Sequence, residues 1–320
     1  MRYTVLTYIF GCYEQVHEIE EKDPEAEYLL ITDDPNLKSD TWQVLHHPMP
    51  DMSLFARCYQ VRFHPFRFAH TPMVVRVDGS IKVKKPLTPI IDEMERGNYD
   101  RCMMIHPHRN TMHEEYAEWI RTRNYPQEQA EKCMKMMWRM GYDFTSRGMF
   151  QGCFEVVRDN QVNRDVNDLT FGLLCTLATN GKIERIDQTI TSFVLNRFFA
   201  KRISILPVGE TIVTDGNLMQ WHYHKSQRII KKDTPLIEPM MFGERCEVWK
   251  PQTDNTGIDR HGLSLIDTMN HREMTHRPRR TATAPEPRRR TAAMDDLMEQ
   301  SRRIVFAVNP NEESGEIMRR

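Results

Sequence analysis

Short apolar runs alternate with helix-patterned stretches from residue 3 to residue 206, and this alternation constrains the fold more than any other feature. The strand-like runs are Tyr3–Phe10, Tyr28–Thr32, Trp42–Leu45, Met73–Val77, Cys102–Ile105, Cys153–Val157 and Ile203–Leu206. Between them lie helical patterns. Asp51 is placed to N-cap a helix through about Phe63, with Leu54, Cys58 and Val61 at helical spacing. Pro86 opens another, with Leu87, Ile90, Ile91 and Met94 on one face. Glu114–Arg123 and Gln127–Met140 are separated by Pro126, and Gly141 ends the second. Asn167–Thr179, closed by Asn180-Gly181, and Asp187–Phe199 complete the set. Strands alternating with helices predict an α/β domain with a mixed, mostly parallel sheet flanked by helices.

The pattern fades near residue 250. Arg277–Arg290 holds six Arg, three Pro and one Glu, too little apolar surface to offset the entropy of ordering it. The folded domain is therefore placed at 1–235, an irregular extension at 236–270 and a disordered Arg/Pro-rich tail at 271–320. A packed core with a polar appendage also accounts for 39% hydrophobic residues and a mean hydropathy of −0.63. The tail has no aromatic interleaving, so base stacking, and with it nucleic acid, is not expected. A net charge of −1 steers no partner globally. The seven Cys are odd in number and form no CxxC, which points to reduced thiols, a cytoplasmic setting and no zinc site. No apolar stretch has membrane-spanning length, and the opening run is too short and polar for a signal peptide.

Candidate chemistry gathers where strands end. Val74-Val75-Arg76-Val77-Asp78-Gly79 runs an apolar strand into a carboxylate and a turn, the position where α/β sheets bind ligands. Such a carboxylate can hold a divalent metal against a diphosphate, though strand–Asp–Gly is also an ordinary turn. The first strand leads into Tyr8-Ile9-Phe10-Gly11, either a nucleobase slot or a strand end with core aromatics. Asp33 closes the second strand and could accept from a base or ribose, or simply start a turn. Arg57 and His64 lie on the helix upstream of Asp78, where a cation could neutralise a diphosphate or face solvent. His106-Pro107-His108-Arg109 with Glu114 and Glu115 reads as a substrate loop, a metal pair, or acidic residues at a helix start. Asp187 is either an N-cap or a base that deprotonates an acceptor hydroxyl, and Gln188 follows it. His222 or His224 could complete a metal site with Asp78, and Lys225 could contact phosphate.

In this order these elements resemble the domain-of-unknown-function family of glycosyltransferases that includes plant mucilage-related and turgor-regulation-defect-like proteins. The matching residues are Tyr8-Ile9-Phe10-Gly11-Cys12-Tyr13, Thr32-Asp33-Asp34, Ser39-Asp40-Thr41-Trp42, Ala56-Arg57 with His64, Val77-Asp78-Gly79, and His106-Pro107 with Arg109, Glu114 and Glu115. An Arg-Asp-Gln element of the family is Ile186-Asp187-Gln188 here, with Arg185 displaced by one. The resemblance spans about residues 3–225 and leaves the tail outside. It implies a GT-A-like fold, a nucleotide-diphosphate sugar donor such as a UDP-sugar, a glycan or other hydroxyl acceptor, and Mn²⁺ or Mg²⁺.

The expected assignment is Asp78 with His222 or His224 on the metal and Arg57 assisting. Asp187 would activate the acceptor, Gln188 would position the donor sugar, and Glu114 and Glu115 would be an alternative base. Donor-side contacts would come from Tyr8, Phe10, Gly11, Asp33, Arg57, His64, Gly79, His106, Arg109 and Lys225. Two other readings remain: a nucleotide-sugar or glycan binder without turnover, and a metal-dependent hydrolase built on His106, His108 and Asp78.

Overall fold

The computed structural model describes residues 1–123, 126–142, 147–177, 186–210, 212 and 218–222. Among these the strands are β1 (Tyr3–Ile9), β2 (Ala26–Thr32), β3 (Gln43–His46), β4 (Met73–Val77), β5 (Ile81–Val83), β6 (Arg101–Ile105), β7 (Phe150–Arg158), β8 (Ile205–Val208) and β9 (Met219–Trp221). The helices are α1 (Leu54–Phe63), α2 (Thr88–Arg96), α3 (Met112–Arg123), α4 (Gln127–Arg139), α5 (Gln161–Thr176) and α6 (Asp187–Val194).

Seven strands form one sheet in the order β3-β2-β1-β4-β7-β6-β8. The pairs β3–β2, β2–β1, β1–β4 and β6–β8 are parallel, and only β7 runs against its neighbours β4 and β6. The sheet is thus mixed and mostly parallel, flanked by helices, as the alternation predicts. Side chains of β1 alternate between its faces as a strand must. Tyr3, Val5 and Ile9 enter the layer that holds Ile90, Ile91 and Met94 of α2. Leu6, Tyr8 and Phe10 enter the opposite one with Val61 of α1. Residues from α1, α3, α4, α5 and α6 form a further apolar cluster, around Tyr116, Phe171 and Phe193.

Two consequences place the site. The carboxyl ends of β1, β2, β4 and β6 all lie along one edge of the sheet. Chain order also reverses at β1, because β2 lies on one side of it and β4 on the other. A crevice at such a reversal is where open α/β sheets take ligands.

Several element boundaries differ from expectation, each for a local reason. The cap of α1 is Ser53, not Asp51: its carbonyl accepts the first helical bond from Arg57 at 3.0 Å, and its hydroxyl accepts from the Ala56 amide. The α2 helix opens at Thr88 with Pro89 in its first turn, not at Pro86. The α5 helix begins at Gln161, six residues ahead of Asn167, capped by Asn160, whose side chain accepts from the Asn163 amide at 3.0 Å. Val162 and Val166 carry the period of Leu169 and Leu173 back into its first two turns, where polar residues outnumber them. Asp187 is the first helical residue of α6 rather than its N-cap, and the helix passes into a π-helical turn at Leu195–Phe199. The β5–β9 pair was not legible, because three-residue strands are too short to show a period. The boundary at 235, the extension, the tail, His224 and Lys225 lie outside the described residues. Among the described residues, no helix is long and apolar enough to cross a membrane.

Candidate functional site

At the end of β1 the chain turns through Gly11 and Cys12, both left-handed at φ 64° and 51°. The Gly11 amide donates to the Asp33 carboxylate at 2.9 Å (Oδ1) and 3.2 Å (Oδ2). Arg57 donates to Asp33 Oδ2 at 2.7 Å and, through Nε, to the Met52 carbonyl at 3.0 Å. Asp33 therefore ties the β1 loop, the β2 end and α1 together, and the Arg57 charge is engaged in that tie. Tyr8 and Phe10 are both buried, their ring centroids 6.2 Å apart. They are core aromatics and present no face to a base. The exposed ring of this loop is Tyr13. Its hydroxyl donates to the Tyr8 carbonyl at 3.2 Å and accepts from the Gly79 amide at 3.2 Å.

That last bond joins the β1 loop to the end of β4. The Asp78 amide donates to the Cys153 carbonyl at 2.9 Å, and the Ile81 amide returns to the Asp78 carbonyl at 2.9 Å, closing a tight turn. A side chain at Gly79 would place its Cβ 2.6 Å from the Tyr13 hydroxyl, so only glycine admits this approach. The β5–β9 pair brings His222 to the same turn, where its amide donates to the Ser80 carbonyl at 2.8 Å. The His222 ring stacks on His17, centroids 4.3 Å apart and planes 18° from parallel. Burial, and then the neighbouring His222, push the His17 imidazole below its ordinary pKa. His222 Nε2 is buried with no hydrogen-bond partner among the described residues.

Asp78, partly exposed, and His222 are thus the groups that could meet a divalent cation here. Among the described residues, no three His, Cys, Asp or Glu gather into a group able to hold a metal. One carboxylate and one imidazole cannot cage an ion by themselves, so a divalent cation here would have to take its remaining ligands from phosphate oxygens and water.

Behind the turn runs a buried seam of charge. Arg76 donates through Nε to Glu155 Oε1 at 2.7 Å, through Nη1 to Asp78 Oδ1 at 2.9 Å, and through Nη2 to the Gly152 carbonyl. Arg62 pairs with Asp187 Oδ2, and its Nε lies 3.8 Å from Glu155 Oε1. Tyr59 donates to Asp187 Oδ1 at 3.0 Å. Burial alone would raise the Glu155 pKa, but the guanidiniums of Arg76, Arg101 and Arg62 outweigh it and bring the carboxyl down to about 2. Gly152 is the hub of the seam. A Cβ there would lie 2.4 Å from Arg62 Nη2, and its amide donates to Gln188 Oε1 at 3.2 Å. It sits beside the register shift between β6 and β7, a bulge of the kind that adjoins functional sites.

Gln188 carries the seam onward by donating to Glu115 Oε1 at 2.9 Å. Arg109 donates to Glu115 Oε2 and lies 2.8 Å from His106 Nε2. His106 Nδ1 accepts from the backbone amides of His108 and Arg109 at 3.2 and 3.1 Å. Both ring nitrogens of His106 are thus engaged inside their own loop, not aimed at a metal with Asp78. Glu114 accepts from the Asn110 and Thr111 amides at 2.6 and 3.1 Å, while its own amide donates to the Thr111 hydroxyl. That is a helix-capping arrangement.

Of the residues singled out from sequence, the structure joins Gly11, Asp33 and Arg57 in one cluster. It joins Gly79, Asp78 and His222 around the β4 turn, and Asp187, Gln188, Glu115, Arg109 and His106 along the seam. His64 stands apart at the far end of α1, about 15 Å from its start, 3.6 Å from Asp168 and edge-on to Phe171. Sequence reasoning missed the roles of Tyr13, His17, Tyr59, Arg76, Gly152 and Glu155. For Arg76 and Glu155 a signal existed: each stands in the middle of an apolar strand, and buried charges need partners. The Ser39–Trp42 element is structural. Glu18 accepts from Ser39 and from the amides of Asp40 and Thr41, and Trp42 Nε1 donates to the His17 carbonyl at 3.0 Å.

No family model matches this chain, and no curated protein matches it.

Proposed function

We propose that the chain is a metal-dependent glycosyltransferase that moves a sugar from a nucleotide-diphosphate donor, such as a UDP-sugar, to a glycan or other hydroxyl acceptor. The resemblance motivates the reading. The observation that carries it is the position of Asp78-Gly79 at the β1–β4 reversal, bonded through Tyr13 to the β1 loop and flanked by His222. Asp78 and His222 would hold Mn²⁺ or Mg²⁺, which supplies charge neutralisation for a departing diphosphate.

The chain's own residues divide the remaining work. Asp33 and Arg57 fix the Gly11 turn, so its backbone can approach a ligand closely. Tyr13 offers the exposed ring. Gln188, held between Gly152 and Glu115, would orient the transferred sugar. Asp187 keeps Arg62 and Tyr59 in place with both its oxygens, which makes it an anchor of the site.

Melting the full chain against UDP, GDP, ADP and CDP, each with and without Mn²⁺, tests this reading, since a ligand that binds only the native state raises the melting temperature. A Mn²⁺-dependent shift with one nucleotide that is lost in Asp78→Ala is the expected result. No shift with any nucleotide would defeat it. A second reading, binding of a nucleotide-sugar or glycan without turnover, is favoured by one observation: Asp187, Glu114 and Glu115 are all engaged in internal bonds. A Mn²⁺-dependent shift with neither transfer nor donor hydrolysis across a donor panel would select it.

A further inference from the structure

Resting on the transferase reading, we propose that Arg76 is a positioning residue that sets the Asp78 carboxylate for a diphosphate-bound metal ion. Arg76 lies two residues before Asp78, so both side chains leave the same face of the chain. Its guanidinium is 1% exposed and cannot reach a ligand. Each of its nitrogens is directed instead: Nε to Glu155 Oε1, Nη2 to the Gly152 carbonyl, and Nη1 to Asp78 Oδ1. Two of those partners belong to β7, which pairs with β4 in register Arg76↔Glu155. The sheet therefore fixes the fork before Asp78 meets anything.

The consequence falls on Asp78. Its side chain is 30% exposed, and on a two-residue turn it would otherwise sample several rotamers. Arg76 holds Oδ1 at 2.9 Å and leaves Oδ2 as the oxygen open to a cation. Glu155 takes up part of the guanidinium charge, so Asp78 is oriented without being fully neutralised. The geometry calls for arginine, because a lysine ammonium cannot serve three partners in one plane. Partners that orient metal-binding carboxylates change metal affinity by about 10–100-fold when lost.

The test is calorimetric titration of Mn²⁺ into the full chain saturated with UDP, repeated with GDP, ADP and CDP, together with melting curves. Arg76→Lys should weaken Mn²⁺ binding about tenfold or more. It should leave Mn²⁺-independent nucleotide binding unchanged. In an Asp78→Ala background the same substitution should change Mn²⁺ binding no further, a result that loss of packing alone does not give. Arg76→Lys that folds and binds Mn²⁺ within about twofold of the native chain would overturn the proposal. Where Arg76→Lys does not fold, Asp78→Glu keeps the charge but moves the carboxylate one methylene off the fixed fork at a partly exposed position. It should weaken Mn²⁺ binding in the same direction, and unchanged affinity there overturns the proposal equally. A native chain that binds no nucleotide with Mn²⁺ defeats the transferase reading and this role with it. A native chain that binds, with variants that bind equally, defeats the positioning role alone.

Discussion

The mouth of the crevice and the charged seam behind it use the same kinds of residue by opposite means. At the mouth, Gly11, Asp33, Asp78 and Gly79 sit in turns that directly follow strands, and backbone groups supply many of their partners. In the seam, Arg62, Arg76, Glu155 and Asp187 come from α1, β4, β7 and α6, and their partners are largely charged side chains distant in sequence. A turn residue can be replaced with local consequences. A buried ion in a network cannot, because its partner is left charged and dry. The mouth should therefore govern binding and the seam folding, with Arg76 the one seam residue that reaches Asp78 and so acts on both.

The largest expected break in that contrast is Arg62→Ala. It removes the guanidinium paired with the buried Asp187 Oδ2, and denaturant unfolding should show a loss of about 3–5 kcal/mol. If it costs less than 1 kcal/mol, the seam is not the structural half of the comparison. Acid should act on the same region. The Glu155 carboxyl falls from an ordinary 4.5 to about 2 in the folded chain, so the unfolded chain binds the proton first. Its stabilising contribution is full above about pH 4.5, and is lost as the pH drops through about 2. The free energy of unfolding against pH should fall over that window by an amount on the order of 3 kcal/mol, and Glu155→Gln should flatten the fall.

Smaller effects sharpen the boundary between the regions. Gly152→Ala forces a Cβ against the Arg62 guanidinium, which its ion pair and burial prevent from moving, and should cost about 1–3 kcal/mol in unfolding free energy. Asp78→Ala belongs to the mouth. It should cost about 1–2 kcal/mol in stability, because the buried Arg76 loses one partner but keeps Glu155 and the Gly152 carbonyl, while removing the Mn²⁺-dependent part of any nucleotide-induced melting shift. A stability loss as large as that of Arg62→Ala would merge the two regions into one.

Much of the mouth was legible from sequence. The Asp78-Gly79 turn, the Gly11 loop and the Asp33 turn all follow apolar runs, and strand ends in an α/β chain are where ligand loops must lie. Which aromatic faces the crevice was not legible. Tyr8, Phe10 and Tyr13 look alike in sequence, and only the strand's alternation and its exit into the turn bury the first two and expose the third. Arg57 was found, but not its tie to Asp33, a residue 24 positions away. Asp187 fits both an N-cap and a base by residue type. Its place as the first helical residue and its two partners from α1 could be known only once α1 and α6 met.

By itself the sequence determined the α/β class, the places where strands end, and the carboxylate and glycine turns that decorate those ends. These are local matters, set by apolar periodicity and turn chemistry within a few residues. Only the tertiary structure decided that β7 runs against its neighbours, that Arg76 finds Glu155, Gly152 and Asp78 at once, and that His222 returns to stack on His17. Those outcomes depend on which distant segments share a buried volume, where each charge must find a partner, and no local pattern encodes that choice.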